Sequence, residues 1–180
     1  MTGDLRLTPQ GLAFAGRVMP CSLGRGGIVP AAEKREGDGA TPAGVHRIVA
    51  VLYRPDRLCR PCGHARGIRL DDLCCDESGH PAYNRLVRAP LAASHERIWR
   101  ADPLYDLVLV TDWNAAAAPG RGSAIFVHQW RRPGYPTAGC IALGRAELRW
   151  IAGRLDPGAR LIVPEGSLRQ RRARRLEGAV

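Results

Sequence analysis

Short hydrophobic runs separated by turns rich in Gly and Pro follow one another along most of the chain, a pattern typical of β-strands. Residues 5–29 predict a meander or hairpin, and residues 45–53 predict a further strand. Residues 104–114 and 124–130 are almost continuously apolar, as in strands that are buried on both faces. The hydrophobic pattern therefore predicts a mainly β core.

One helix is predicted, over residues 146–155, because Leu148, Ile151 and Leu155 are spaced to share one face of it. The segment 159–166, ARLIVPEG, then predicts a closing strand. The expected fold class is mainly β, a β-sandwich of mixed sheets with one short helix.

The chain of 180 residues predicts one domain, over residues 1–167, with an arginine-rich tail at 168–180. Five arginines fall within residues 169–175, which favours either a solvated end or a segment that binds polyanions. Residues 54–92 lack regular periodicity, and we expect a long loop there that is either functional or disordered.

The formal net charge is +10, nearly all of it from arginine, since Lys34 is the only lysine. Such a charge attracts polyanions in general, including nucleic acid, acidic lipids and anionic wall polymers, without selecting one. No apolar run is long enough to span a membrane, and residues 1–14 do not resemble a secretory signal. A soluble protein with reduced cysteines is expected.

Cys140 is a candidate nucleophile because His128, at the end of an apolar run, lies twelve residues before it and Gly139 adjoins it. A histidine held by a strand could take the thiol proton, and glycine allows a sharp turn beside a substrate. The predicted helix after Cys140 would lower the thiol pKa through its dipole. The alternative is that Cys140 and His128 are ordinary core residues.

Two stretches carry a resemblance to a known family. The segment 125–143, IFVHQWRRPGYPTAGCIAL, resembles the signature of the L,D-transpeptidase catalytic domain of YkuD type, and the segment 37–48, GDGATPAGVHRI, resembles its upstream loop. The resemblance implies an enzyme that forms an acyl intermediate on cysteine with peptidoglycan stem peptides and releases a terminal D-amino acid. It implies transfer to an amine or to water, and no cofactor.

The resemblance also implies roles for individual residues. It makes Cys140 the nucleophile and His128 its base, with Thr137 as the hydroxyl residue before the cysteine and Gly139 as part of the oxyanion pocket. The chain has Ala138 where the family commonly has a second histidine, and Ala142 where it commonly has an arginine. The recognition of the substrate carboxylate is therefore open.

Four further residues are candidate substrate contacts. The segment 80–87, HPAYNRLV, resembles a stretch of the small stand-alone members of the family, and its Tyr83, Asn84 and Arg85 could supply stacking, an amide and a cation. Arg85 or Arg121 could take over the missing carboxylate clamp, since arginine binds carboxylates bidentately. An edge strand with a turn is the structural alternative for 80–87.

A cysteine-rich segment leaves a different class of function open. Cys59 and Cys62 have the spacing of half a zinc site, but the adjacent Cys74 and Cys75 make a poor second half. A reduced loop is preferred, and disulfides would need an oxidising compartment. A zinc-stabilised basic module that binds nucleic acid is thus one rival, and a cysteine amidase or peptidase of the same fold is another.

The predicted substrate and the predicted location conflict. The family acts on the cell wall, which favours the cell envelope or periplasm, whereas the absence of a visible signal favours the cytoplasm. Peptidoglycan stem peptides are the expected partner, nucleic acid is not, and the oligomeric state is left open.

Overall fold

The computed structural model describes residues 3–166, and the predicted arginine-rich tail lies outside them. The described part is mainly β with mixed sheets and one short α-helix, which confirms the predicted fold class. No helix within residues 3–166 is long and apolar enough to cross a membrane.

Fifteen short strands lie within the described residues. In chain order they are β1 Leu5–Thr8, β2 Gly11–Phe14, β3 Arg17–Met19, β4 Cys21–Ser22, β5 Ile28–Val29, β6 Thr41–Pro42, β7 Gly44–Tyr53, β8 Arg66–Gly67, β9 Asp72–Cys75, β10 Leu86–Arg88, β11 His95–Arg97, β12 Leu107–Thr111, β13 Phe126–Gln129, β14 Ile141–Leu143 and β15 Arg160–Val163. The helix α1 is Arg145–Ala152, and a 3-10 turn covers Pro103–Tyr105.

Ten of these strands form one mixed sheet. Its order is β3-β2-β1-β15-β7-β12-β13-β14-β4, and β8 pairs with β7 from outside this path. Strand β12 is antiparallel to both β7 and β13, whereas β13 is parallel to β14. A three-stranded sheet has the order β10-β9-β11, and β5 pairs with β6.

The central strand β12 is buried on both faces, as its continuous apolar run predicts. Successive side chains of a strand point to opposite faces, so Leu107 and Leu109 enter one core and Val108 and Val110 enter another. The first core also contains Leu148 of α1. The main sheet therefore separates two apolar layers.

The second core contains the residues that matter for the site. Phe126 of β13 and Cys140 belong to it, together with Cys74 of β9 and Ile98, which follows β11. The three-stranded sheet thus contributes to the apolar layer in which Cys140 lies.

The prediction for residues 54–92 is wrong in one respect. The segment contains β8, β9 and β10, and all four residues of β9 are buried, including Cys74 and Cys75. Sheet pairing and burial order this segment, because its apolar residues cover one face of the main sheet. Strands of two to four residues are too short to show the alternation of apolar and polar residues, and Pro and Gly interrupt the segment between them.

The helix is shorter than predicted, and a strand separates it from Cys140. It occupies Arg145–Ala152, with Leu148 and Ile151 buried as predicted, and it ends at Gly153. Strand β14 comes between Cys140 and the helix. A strand of three residues extends about 10 Å, so the first turn of α1 does not adjoin Cys140.

Candidate active site

His128 and Cys140 lie on the same face of the main sheet. Phe126 and His128 are two apart on β13 and therefore share a face, and Phe126 packs in the core that contains Cys140. Cys140 directly precedes β14, in which Ala142 is paired with His128 across the parallel ladder. Two neighbouring strands thus carry the predicted nucleophile and base on one face of the sheet.

Both side chains line a cavity of about 230 Å³. Its lining combines aromatic, small and charged residues: Glu96, Leu104, Tyr105, His128, Trp130, Arg131, Tyr135, Pro136, Thr137, Ala138, Cys140 and Ala142. Ala138 and Ala142, where the resemblance would have histidine and arginine, are among them. Their small side chains leave room beside the thiol.

The turn before Cys140 requires glycine. Gly139 has φ +142°, and a Cβ there would lie 2.9 Å from the Ala40 carbonyl oxygen and 3.2 Å from Ile125 Cδ1. Thr41 Oγ1 donates to the Gly139 carbonyl at 2.9 Å, and Gly24 N donates to Thr41 Oγ1 at 3.0 Å. Thr41 of the upstream Thr-Pro segment therefore fixes the backbone beside the cysteine, although it lies 98 positions before Gly139 in the sequence.

The hydroxyl of Thr137 also stabilises this turn. Its hydroxyl donates to the Cys140 carbonyl at 2.6 Å and accepts from Gly139 N at 3.1 Å. The N–H of Gly139 is thus already hydrogen-bonded within the turn. Thr137 and Thr41 together hold both sides of the peptide that joins Gly139 to Cys140.

The hydrogen bonds of His128 define its tautomer. Nδ1 lies 2.7 Å from the Gln129 carbonyl oxygen, which can only accept, so Nδ1 carries the proton and Nε2 keeps its lone pair. Burial lowers the pKa of His128 to about 4, partly offset by that hydrogen bond. The imidazole is therefore neutral at pH 7 and able to receive a proton at Nε2.

The thiol of Cys140 is protonated in this arrangement. Sγ donates to the Ala124 carbonyl at 3.1 Å and accepts from Phe126 N at 3.4 Å. Burial, followed by the charge of Glu96, raises the pKa of Cys140 to about 12. The expectation that a helix dipole lowers this pKa is wrong, because β14 separates the helix from the cysteine and burial dominates.

The sequence profile of the L,D-transpeptidase catalytic domain, YkuD, matches residues 10–163. The chain belongs to the L,D-transpeptidase catalytic-domain family. Members of this family are enzymes that act on peptidoglycan peptides.

Among solved structures, an L,D-transpeptidase from Mycobacterium smegmatis is similar at 16% sequence identity, with a TM-score of 0.42 over 91% of this chain. The chain spans 58% of the length of that protein. No curated protein matches the sequence.

Tyr83 and Asn84 have structural contacts in this L,D-transpeptidase domain. Tyr83 is buried and donates its hydroxyl hydrogen to the Glu36 carboxylate. Asn84 donates to the carbonyls of Trp113 and Asn114 at 2.8 and 2.9 Å and accepts from Ala124 N at 2.9 Å. Neither residue lines the cavity beside Cys140.

The two arginines predicted as a carboxylate clamp also lie away from the cavity lining. Arg85 is exposed beside a different depression, and Arg121 donates to the Ala31 carbonyl at 2.9 Å. Arg131 lines the cavity instead, and its guanidinium lies 5.7 Å from the ring centre of Tyr135. Arg131 stands next to Trp130 in the loop between the histidine and the cysteine, which is the sequence signal that could have identified it.

Sequence reasoning also missed Glu96 and Tyr105. Both line the cavity, and Tyr105 Oη donates to Glu96 Oε2 at 2.6 Å. The Tyr105 ring is edge-on to the His128 ring, with centres 5.2 Å apart. Their proximity depends on how the three-stranded sheet packs, so only the chemical types of the residues could have suggested them.

The cysteine-rich segment does not assemble a metal site in the part of the chain that the structure describes. There, no three His, Cys, Asp or Glu side chains are arranged to hold a metal ion. Cys62 Sγ lies 3.5 Å from His64 Nε2, and the cysteines within residues 3–166 are unpaired. The zinc-stabilised alternative therefore lacks a coordination site among these residues.

Proposed function

We propose that the protein is a cysteine-dependent L,D-transpeptidase or L,D-carboxypeptidase that acts on peptidoglycan stem peptides. Cys140 attacks the carbonyl between an L-centre and a D-residue and forms a thioester, and the terminal D-amino acid leaves. The thioester is then transferred to an amine or to water. One observation carries this proposal: a neutral imidazole with a free Nε2 and a thiol line one cavity.

The first step begins from a neutral pair. Because the pKa of Cys140 is raised and that of His128 is lowered, the two side chains do not exchange a proton at rest. Deprotonation accompanies the attack: the thiol hydrogen turns from the Ala124 carbonyl, which accepts it at rest, and moves to Nε2 of His128 as the bond between Sγ and the carbonyl carbon forms. The imidazolium then protonates the departing amine.

The negative charge of the tetrahedral intermediate needs a donor. Thr41 holds the Gly139 carbonyl, and the peptide that follows is trans, so the Cys140 N–H points away from that carbonyl. We assign the Cys140 N–H as a donor to the oxyanion, since it is fixed before the substrate arrives. Gly139 serves the site by permitting this turn.

The carboxylate of the released D-amino acid needs a cation. Arg131 is the arginine that lines the cavity, and it stands in for the arginine that the family commonly has at the place of Ala142. Its position in a loop at the cavity suits a clamp on a terminal carboxylate.

We propose that the enzyme works in the cell envelope or periplasm, because peptidoglycan is there; a cytoplasmic enzyme that acts on wall fragments is the alternative. Fractionation of the native cells with an antibody against the protein distinguishes the two. Signal in the envelope fraction is expected, and signal confined to the cytosol would contradict this location.

The reaction is tested by incubating the purified protein with a disaccharide-tetrapeptide and quantifying free D-alanine. Cys140→Ala and His128→Ala should abolish release. Cys74→Ala is the matched control, since Cys74 is buried in the same apolar core but does not line the cavity. Release that persists in Cys140→Ala would refute the proposal.

A further inference from the structure

Glu96 is a charged residue in an otherwise largely apolar part of the cavity wall. It belongs to β11, lies on the side of the three-stranded sheet and lines the cavity that contains Cys140. Oε2 accepts from Tyr105 Oη at 2.6 Å, a length typical of a hydroxyl that donates to a carboxylate. Burial raises the pKa of Glu96, and the Tyr105 hydrogen bond opposes that shift.

This carboxylate has no cationic partner within residues 3–166. No Lys, Arg or His nitrogen there lies within 4 Å of it, and the nearby Arg100 is bound bidentately by Asp102 at 2.8 and 2.7 Å. Against the effect of burial, the charge of Arg100 lowers the pKa of Glu96, but Arg100 makes no ion pair with it, so the cost of removing the carboxylate from water is only partly offset. The site therefore favours a cation supplied from outside the protein.

The surroundings of Glu96 suit an ammonium group more than a guanidinium. The cavity is small, about 230 Å³, and the rings of Tyr105 and His128 meet edge to face beside the carboxylate. Tyr105 also packs edge to face with Phe126, with ring centres 6.1 Å apart, which holds its hydroxyl on Glu96. A compact primary ammonium can approach a carboxylate and an aromatic face together.

We propose that Glu96, positioned by Tyr105, is the binding site for the ammonium group of the amine that accepts the acyl chain. This inference rests on the proposed function, because the amine would attack the thioester on Cys140. It assigns a substrate class to the second half-reaction: a primary amine that enters as its protonated form. Water needs no such site, so Glu96 favours transfer over hydrolysis.

The ammonium gives one proton to the Glu96 carboxylate and becomes a neutral amine. Its nitrogen attacks the thioester carbonyl, the C–N bond forms, and the C–S bond breaks. His128 Nε2 takes the remaining excess proton from nitrogen and returns it to the leaving thiolate, which regenerates the Cys140 thiol.

The first experiment compares the two fates of one thioester. The disaccharide-tetrapeptide serves as acyl donor and Nα-acetyl-lysinamide as amine acceptor, and mass spectrometry gives the ratio of amide to hydrolysed tripeptide. Glu96→Gln keeps the shape and removes the charge, and we expect the ratio of amide to hydrolysed tripeptide to fall at least tenfold. Because both products come from the same thioester, this ratio does not depend on how fast the thioester forms. Glu33→Gln, at an exposed position, is the matched control and should match the wild type.

The second experiment does not depend on activity towards stem peptides. Iodoacetamide is added at about pH 8.5, where a primary ammonium is still protonated, and the slow alkylation of Cys140 is followed by peptide mapping, which separates it from the more exposed cysteines. Butylammonium should slow alkylation in the wild type and in Glu33→Gln but not in Glu96→Gln, and butanol should slow it in none of them. Sodium chloride at equal ionic strength controls for screening.

The outcomes separate the two proposals. Absence of D-alanine release with butylammonium protection intact would refute the proposed substrate and keep the ammonium site. Normal release with an unchanged product ratio in Glu96→Gln, or equal protection by butylammonium in that variant, would overturn the ammonium site and keep the thiol chemistry.

Discussion

Gly139→Ala tests whether the turn before Cys140 has the geometry described above. The substitution adds a single methyl group at φ +142°, a backbone conformation that L-residues rarely adopt. It also adds a Cβ at 2.9 Å from a backbone oxygen, that of Ala40. Backbone must therefore move, and the hydrogen bond from Thr41 to the Gly139 carbonyl must lengthen or break.

The expected loss in the free energy of unfolding is the sum of a conformational cost and a contact cost. A non-glycine residue in such a region costs about 1–3 kcal/mol, and forced contact with neighbouring atoms costs about 1–3 kcal/mol more. Gly134→Ala is the matched control in the same loop, because Gly134 has φ +72° and nothing lies within 4 Å of the added Cβ. That change costs about 1–2 kcal/mol.

Thermal unfolding followed by circular dichroism measures the difference. The two variants should differ by about 1–4 kcal/mol, and a chain of this size loses about 2–4 °C in Tm per kcal/mol, so Gly139→Ala should melt about 2–16 °C below Gly134→Ala. D-alanine release should be lost in Gly139→Ala and retained in Gly134→Ala. Equal melting temperatures and equal activities would refute the assigned turn.

Three further changes have defined outcomes. The pKa of His128 is about 4 in the folded protein and about 6.5 in the unfolded chain, so the unfolded chain takes up the proton first as the pH falls. The free energy of unfolding should therefore fall by about 2 kcal/mol between about pH 7 and pH 5 because of this residue. Urea unfolding of His128→Asn should lack this pH-dependent loss. Thr137→Val removes two hydrogen bonds and should lower kcat/KM about tenfold, whereas Thr137→Ser should restore it; an active Thr137→Val would contradict the role of the hydroxyl. Arg131→Ala should raise KM for the tetrapeptide, while Arg132→Ala, which alters an arginine that does not line the cavity, should not; equal effects would remove Arg131 from carboxylate binding.

The sequence predicted the parts of the fold that depend on local patterns. The strands at 45–53 and 124–130 and the face of α1 appear where hydrophobic spacing placed them, since period and burial coincide there. The strands within residues 54–92 were not predicted, because they have only two to four residues, too few to show a hydrophobic period. The pairing of such strands is decided by tertiary packing.

The residues of the site also divide into those that the sequence could identify and those that it could not. His128 and Cys140 could be selected from residue type and spacing, and the structure brings both to one cavity. Glu96 and Tyr105 could not, because Glu96 reaches the site through the packing of the small sheet, and Tyr105 reaches it from the turn before β12. The sequence predicted a lowered pKa for Cys140 from the helix that follows it, whereas burial, which the sequence does not show, raises this pKa.

The most direct test of the account is the intact mass of the protein during incubation with the disaccharide-tetrapeptide, with the modified residue located by peptide mapping. The account predicts a transient acyl adduct of the tripeptide moiety on Cys140, absent from Cys140→Ala, together with release of D-alanine. A folded wild-type protein that releases D-alanine without acylation of Cys140, or that carries the acyl group on another residue, would contradict it.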